Sequence, residues 1–161
     1  MITLLLLRHA HAGDSTRWQG DDDVRPLTDK GRRQAERLGR LLAASGETPD
    51  LLITSPRVRA AQTAEIVAGV TGTKVVVDAR VAGPLDPDTV MRILADAGSA
   101  ERPCLVGHDP DLSDLLAELT GATAIAMRKG ALARVDLPGR SLDAGEGVLR
   151  YLLPPEVVPD R

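Results

Sequence analysis

The chain alternates strand-sized aliphatic runs with helix-sized amphipathic stretches. Ile2–Leu7 is a continuous apolar run that predicts a buried strand, and a polar loop rich in Gly and Asp follows from His9 to Pro26. Thr28 is placed to cap a helix over Asp29–Ser45, in which Ala35, Leu38, Leu41 and Leu42 share a face and Gly46 supplies the stop. The pattern then predicts a strand at Leu51–Thr54, a helix at Arg57–Val70, a strand at Val75–Val77 and a helix at Asp88–Ala97. A fourth strand, Cys104–Val106, and a fourth helix, Leu112–Leu119, complete the alternation. Ala131–Leu137 and Gly147–Leu153 break it: two strands joined by a Pro/Gly turn region, with no helix between them, predict an antiparallel pair. The expected architecture is α/β, a three-layer α/β/α sandwich with a mostly parallel sheet and a terminal antiparallel β pair. One domain is expected over residues 1–161, with an extended C-terminal tail over 154–161.

Composition narrows the function classes. Trp18 and Tyr151 are the only aromatics, so Leu, Val, Ile and Ala must fill the core and no stacking surface for single-stranded nucleic acid is available. A net charge of −3 gives no whole-protein attraction to polyanions, so any phosphate site must be local, and no nucleic-acid partner is expected. The opening apolar run lacks a basic flank, and no run approaches the ~18 residues of a membrane span. The single cysteine, Cys104, cannot form an internal disulfide; it fits a reducing, cytoplasmic compartment and sits in an apolar strand as inert core.

Ligands in open α/β sheets bind beyond the carboxyl ends of the strands. Here those ends carry Arg8-His9-Ala10-His11, Ser55-Pro56-Arg57-Val58-Arg59-Ala60 and Gly107-His108-Asp109-Pro110, so all three histidines and several arginines fall on one predicted rim. Phosphoryl transfer needs fixed cationic donors, which guanidinium supplies in a planar fork, and a neutral imidazole is a competent nucleophile for phosphorus. A second imidazole can donate to an oxygen whose charge grows in the transition state. No Cys/His or carboxylate cluster has metal-ligand spacing and no G-x-x-x-x-G-K-[ST] loop is present, so neither a metal nor another cofactor is expected.

Other readings of single residues remain. Arg57 reads as a solvated helix residue, and Asp21-Asp22-Asp23 as a solvated turn rather than a metal site. His11 either touches substrate or only lines the rim, Arg25 either touches substrate or braces the loop, and Trp18 either covers the pocket or pins the loop to the body. Ser113 has no His/Asp partners in pattern for a catalytic triad.

Leu7-Arg8-His9-Ala10, the stretch Ser55-Pro56-x-x-Arg59-Ala60-x-Gln62-Thr63 and Val106-Gly107-His108, in that order, resemble the three signatures of the histidine phosphatase (phosphoglycerate mutase-like) superfamily. Arg25-Pro26-Leu27-Thr28-x-x-Gly31 before an amphipathic helix adds a fourth likeness, and its wording resembles the SixA-type phosphohistidine phosphatases. The resemblance implies His9 as nucleophile, with Arg8, Arg59 and His108 holding the phosphate. Ala10 stands where many members have glycine and resembles the SixA-type branch.

Larger members of the superfamily carry a glutamate after the third strand as general acid. Ala79-Arg80-Val81-Ala82-Gly83-Pro84 holds no carboxylate there, and Asp86 is the nearest substitute. An alkoxide leaves badly, with a conjugate acid near pKa ~15.7, and wants a positioned acid. Imidazole, with pKa about 6.5, leaves easily. The expected activity is therefore a metal-independent phosphatase acting on phosphohistidine of a protein partner such as a phosphotransfer domain. Two alternatives stand beside it: a phosphatase for a small phosphomonoester or nucleotide that uses Asp86, and a non-catalytic phosphate- or phosphopeptide-binding module.

Overall fold

Each aliphatic run becomes a strand and each amphipathic stretch a helix. In the computed structural model, which describes residues 1–139 and 142–160, the strands are β1 (Ile2–Arg8), β2 (Leu51–Thr54), β3 (Val75–Val77), β4 (Pro103–Gly107), β5 (Leu132–Leu137) and β6 (Val148–Leu153). The helices are α1 (Asp29–Ser45), α2 (Val58–Thr71), α3 (Pro87–Asp96) and α4 (Asp111–Thr120). Thr28 caps α1 by accepting the Gly31 N–H, and Gly46 ends the helix in the left-handed region at φ +74°, where a side chain would be strained.

The sheet order is β3-β2-β4-β1-β5-β6. β1 to β4 run parallel, while β5 lies antiparallel to β1 and β6 antiparallel to β5. β4 is thus inserted between β1 and β2, with Val106 opposite both Leu7 and Thr54. Three strand exits lie side by side in consequence.

Alternation along β1 sorts its leucines onto the two faces of the sheet. Leu4 and Leu6 join the core formed with Ile93 of α3 and Leu112 and Leu116 of α4, while Leu5 and Leu7 pack with Leu38 and Leu42 of α1 and Ala64 and Val67 of α2. Every one of these β1 leucines is fully buried. Truncating any of them to alanine would cost about 2–5 kcal/mol.

The C-terminal segment is not an extended tail. Pro155–Val157 makes a 3-10 turn, Val158 is buried in the α1–α2 core, and Asp160 meets Arg37 at 3.1 Å. Apolar Val158 and the pairing with Arg37 draw back a segment whose prolines alone predict an extended run. Among the described residues no helix is long and apolar enough to cross a membrane.

Candidate active site

The exits of β1, β4 and β2 bring His9, His108 and the Ser55–Arg59 stretch together. The His9 and His108 rings face one another, centroids 5.4 Å apart and planes inclined at 53°. His9 is buried and its Nδ1 lies 2.8 Å from the Ala10 carbonyl. A carbonyl can only accept, so Nδ1 carries the proton and Nε2 keeps its lone pair. Burial, reinforced by the charges of His108, Arg59 and Arg8 against a smaller opposing effect of the Ala10 bond, lowers the His9 pKa to about 3. Burial likewise lowers His108 to about 4, and Arg57, Arg59 and Arg8 act in the same direction. Both rings are neutral at pH 7.

The backbone hydrogen bonds around His9 explain several motif residues. Thr63 Oγ1 accepts the Ala10 N–H at 3.1 Å and donates to the Arg59 carbonyl at 2.7 Å, fastening the β1 exit to α2. Gln62 Oε1 accepts the Leu27 N–H at 2.8 Å and anchors the far end of the long loop. Arg8 donates through Nη1 to the Met127 carbonyl at 2.7 Å. Met127 is held in turn by its own N–H on Ser113 Oγ, and Ser113 donates to Asp109 at 2.6 Å. Ser113 thus serves as a bracket between the β4 exit and Arg8.

Three nitrogen atoms at this rim are buried with no hydrogen-bond partner: Nε of Arg8, Nε of Arg59 and Nδ1 of His108. An unsatisfied buried polar group costs about 1–3 kcal/mol. The two guanidinium Nε–H groups can only donate, so an acceptor such as an oxyanion is the kind of group that would satisfy them.

The remaining sequence candidates divide differently. His11 is bolted to the start of α1: its Nδ1 lies 2.7 Å from Thr28 Oγ1, its N–H donates to Gln34 Oε1 at 3.0 Å, and its carbonyl accepts the Thr28 N–H. Arg25 braces the loop, donating through Nη1 to the Ala12 carbonyl at 2.6 Å and through Nε to Asp22 at 2.9 Å. Trp18 pins the loop to itself, its indole N–H on the Asp21 carbonyl at 3.0 Å.

Asp86, the sequence candidate for a proton donor, caps α3 by accepting the Thr89 N–H at 2.7 Å, and that bond holds its pKa below the ordinary carboxylate range. Asp111, in the first turn of α4, is pushed upward by burial, against the opposing charge of Arg57. Arg57 is itself paired with Asp23 at 3.1 Å rather than solvated.

Two further residues meet the site: Ser55, which opens the second sequence signature, and Asp22, which the sequence reads as part of a solvated turn. Ser55 is fully buried with its Oγ 2.7 Å from His108 Nε2. Asp22 Oδ2 lies 3.1 Å from Arg59 Nη2. Among the described residues there is no cluster of three or more His, Cys, Asp or Glu suited to a metal ion.

Comparison with known proteins places the chain among phosphatases by family likeness and fold. The family description "Histidine phosphatase superfamily (branch 1)" matches residues 4–82. The chain is 47% identical over 66 residues to the 8-oxo-(d)GTP phosphatase of Mycolicibacterium smegmatis, a stretch covering 41% of this chain and 20% of that protein. The matched stretch spans about a fifth of the length of the curated relatives. Among solved structures, the protein histidine phosphatase SixA complexed with tungstate superposes with a TM-score of 0.82 at 24% identity, covering 98% of this chain and all of that one (100%). A SixA-named protein of Nakamurella multipartitia has a TM-score of 0.72 at 26% identity, with 94% of each chain covered.

Proposed function

Because this chain belongs to the histidine phosphatase superfamily, we propose that it hydrolyses phosphoryl groups without a metal, through a phosphohistidine formed on His9. The observation that carries the reading is the pair of neutral imidazoles 5.4 Å apart, bordered by the unpartnered nitrogens of Arg8, Arg59 and His108. His9 Nε2 attacks phosphorus, the new N–P bond forms, and the bond from phosphorus to the leaving atom breaks with its electron pair. Arg8 and Arg59 offset charge on the phosphoryl oxygens, and His108 donates to one of them. Water then attacks phosphorus, the Nε2–P bond breaks, and inorganic phosphate leaves with His9 restored.

The preferred substrate is phosphohistidine on a protein partner, such as a phosphotransfer domain. With its far nitrogen protonated, that group departs as neutral imidazole and needs no acid from the enzyme. Asp86 and Asp22 are both held ionised, which suits a leaving group of this kind. Apart from the long loop after β1, the connections named at the rim are short, residues 78–86 between β3 and α3 and residues 108–110 between β4 and α4, which favours the approach of a protein side chain. The likeness to SixA structures supports the same choice.

A second reading takes a nucleotide or other small phosphate ester. The identity shared with an 8-oxo-(d)GTP phosphatase favours it, and Asp111, its pKa raised by burial, would then supply the proton.

A paired turnover assay without added metal tests both. Wild type and His9→Ala are compared on phosphohistidine, free and on a phosphotransfer domain, and on a simple phosphomonoester. Faster cleavage of phosphohistidine, abolished in His9→Ala, is the expected result. Preference for the ester selects the second reading, and turnover surviving in His9→Ala sinks the covalent mechanism.

A further inference from the structure

We propose that Ser55 is a positioning residue that fixes the tautomer of His108, keeping the proton on Nδ1. The catalytic consequence rests on the reading of His108 as a phosphate donor; the tautomer does not.

Ser55 follows β2 directly, its N–H donating to the Val106 carbonyl of β4 at 3.0 Å, so it is tied to the strand that carries His108. Its side chain is fully buried, with Oγ 2.7 Å from His108 Nε2. The same oxygen accepts the Arg57 backbone N–H at 3.2 Å. A serine hydroxyl has one proton and two lone pairs, and Arg57 occupies one of the lone pairs.

Two neutral arrangements of the pair are possible. If Nε2–H donated to Ser55, the hydroxyl proton would have no acceptor among the described residues, and Nδ1 would be a bare buried lone pair. That arrangement strands two buried polar groups. If Ser55 donates to Nε2, the hydroxyl is satisfied and the imidazole proton sits on Nδ1, stranding one group only. The doubly protonated ring is opposed by burial and by the charges of Arg57, Arg59 and Arg8.

The difference decides what His108 can do. The unpartnered Nδ1 sits on a ring 5.4 Å from that of His9. As N–H it donates to a phosphoryl oxygen; as a lone pair it repels one. Ser55 therefore makes a neutral histidine into an obligate donor, and the backbone N–H of Arg57 holds Ser55 in the donating role. Lysine or arginine in that place would donate too, but would add charge to a rim already carrying Arg8, Arg57 and Arg59.

Long-range proton–nitrogen NMR on 15N-labelled protein at pH 7 tests this directly, with the three histidines assigned from single His→Gln variants. Wild type is expected to show His108 protonated on Nδ1 and bare at Nε2. In Ser55→Ala the population shifts toward Nε2–H. Turnover then falls at least tenfold in kcat with KM nearly unchanged, approaching the roughly 10²–10³ that outright loss of one such donor costs. Ser55→Thr, which keeps the hydroxyl, restores the Nδ1–H signal and most of the rate. An Nε2–H ring in wild type overturns the proposal even if no variant folds, as does an unchanged spectrum in folded Ser55→Ala. An Nδ1–H ring in a protein that turns over no phosphoryl substrate supports the Ser55 assignment while sinking the phosphatase reading.

Discussion

Asp22 grips Arg59 at two points: its carboxylate lies 3.1 Å from Nη2, and its backbone carbonyl accepts Nη1 at 2.8 Å. The same carboxylate accepts Arg25 Nε at 2.9 Å, so one half-exposed anion joins two buried guanidiniums. Both terminal nitrogens of Arg59 are thereby turned toward the loop, leaving Nε without a partner. A run of three aspartates reads in sequence as a solvated turn. It does turn, but its middle member reaches back to hold the Arg59 guanidinium.

The same carboxylate competes with an incoming oxyanion for the Arg59 guanidinium. Asp22→Asn keeps an acceptor near Arg59 and removes the charge, so tungstate is expected to bind several-fold tighter, at a stability cost of about 1 kcal/mol or less for this half-exposed pair. Calorimetric titration reads the affinity. Weaker binding would mean that the orienting effect of Asp22 outweighs its competition.

The histidine pair sets a pH dependence of known sign. With folded pKa values of about 3 for His9 and about 4 for His108, the unfolded chain binds more protons than the fold below its ordinary histidine pKa of about 6.5. Stability contributed by these groups is complete above about pH 6.5 and lost as pH falls toward 3, by at most ~1.4 kcal/mol per unit for each group. In an NMR titration of the folded protein from pH 8 to 5, the His9 and His108 ring signals should stay flat. A midpoint near 6.5 for either would show that its burial does not hold it neutral.

If Asp111 protonates ester leaving groups, Asp111→Asn should lower turnover of a phosphomonoester by roughly 10²-fold or more. Phosphohistidine cleavage should change little. Asp86→Asn should change neither rate, since asparagine caps α3 as aspartate does. Equal losses on both substrates in Asp111→Asn would show a structural rather than a proton-donating role.

Gly31 is demanded by packing. A Cβ there would lie 2.0 Å from the His11 carbonyl oxygen, itself bonded to the Thr28 N–H, so the β1 exit and the start of α1 cannot both stay in place. Gly31→Ala should destabilise by about 1–3 kcal/mol or more and depress activity through the displaced loop. Thermal unfolding and turnover measured together check it, and an unchanged Tm would mean the loop yields freely.

The element pattern was legible because strands, helices and caps are set by near neighbours. Six strands, four helices and the Thr28 and Gly46 boundaries follow from side-chain period and local capping. Position at strand exits likewise put all three histidines and several arginines on one rim, and the resemblance in motif picked His9, Arg8, Arg59 and His108 among them as candidates. Strand order is a different matter. Nothing near Cys104–Val106 says that β4 inserts between β1 and β2, yet that insertion alone makes His9 and His108 neighbours. Partners likewise came from beyond the near neighbours: His11 Nδ1 meets Thr28 Oγ1 at 2.7 Å, seventeen residues along the chain, whereas the Asp86 cap on Thr89 is a local contact. Ser55 and Asp22 gained their roles from groups 53 and 37 residues away. A single hydrogen bond satisfied or left open decides what a buried polar group can do, and only the folded chain brings its partners within reach.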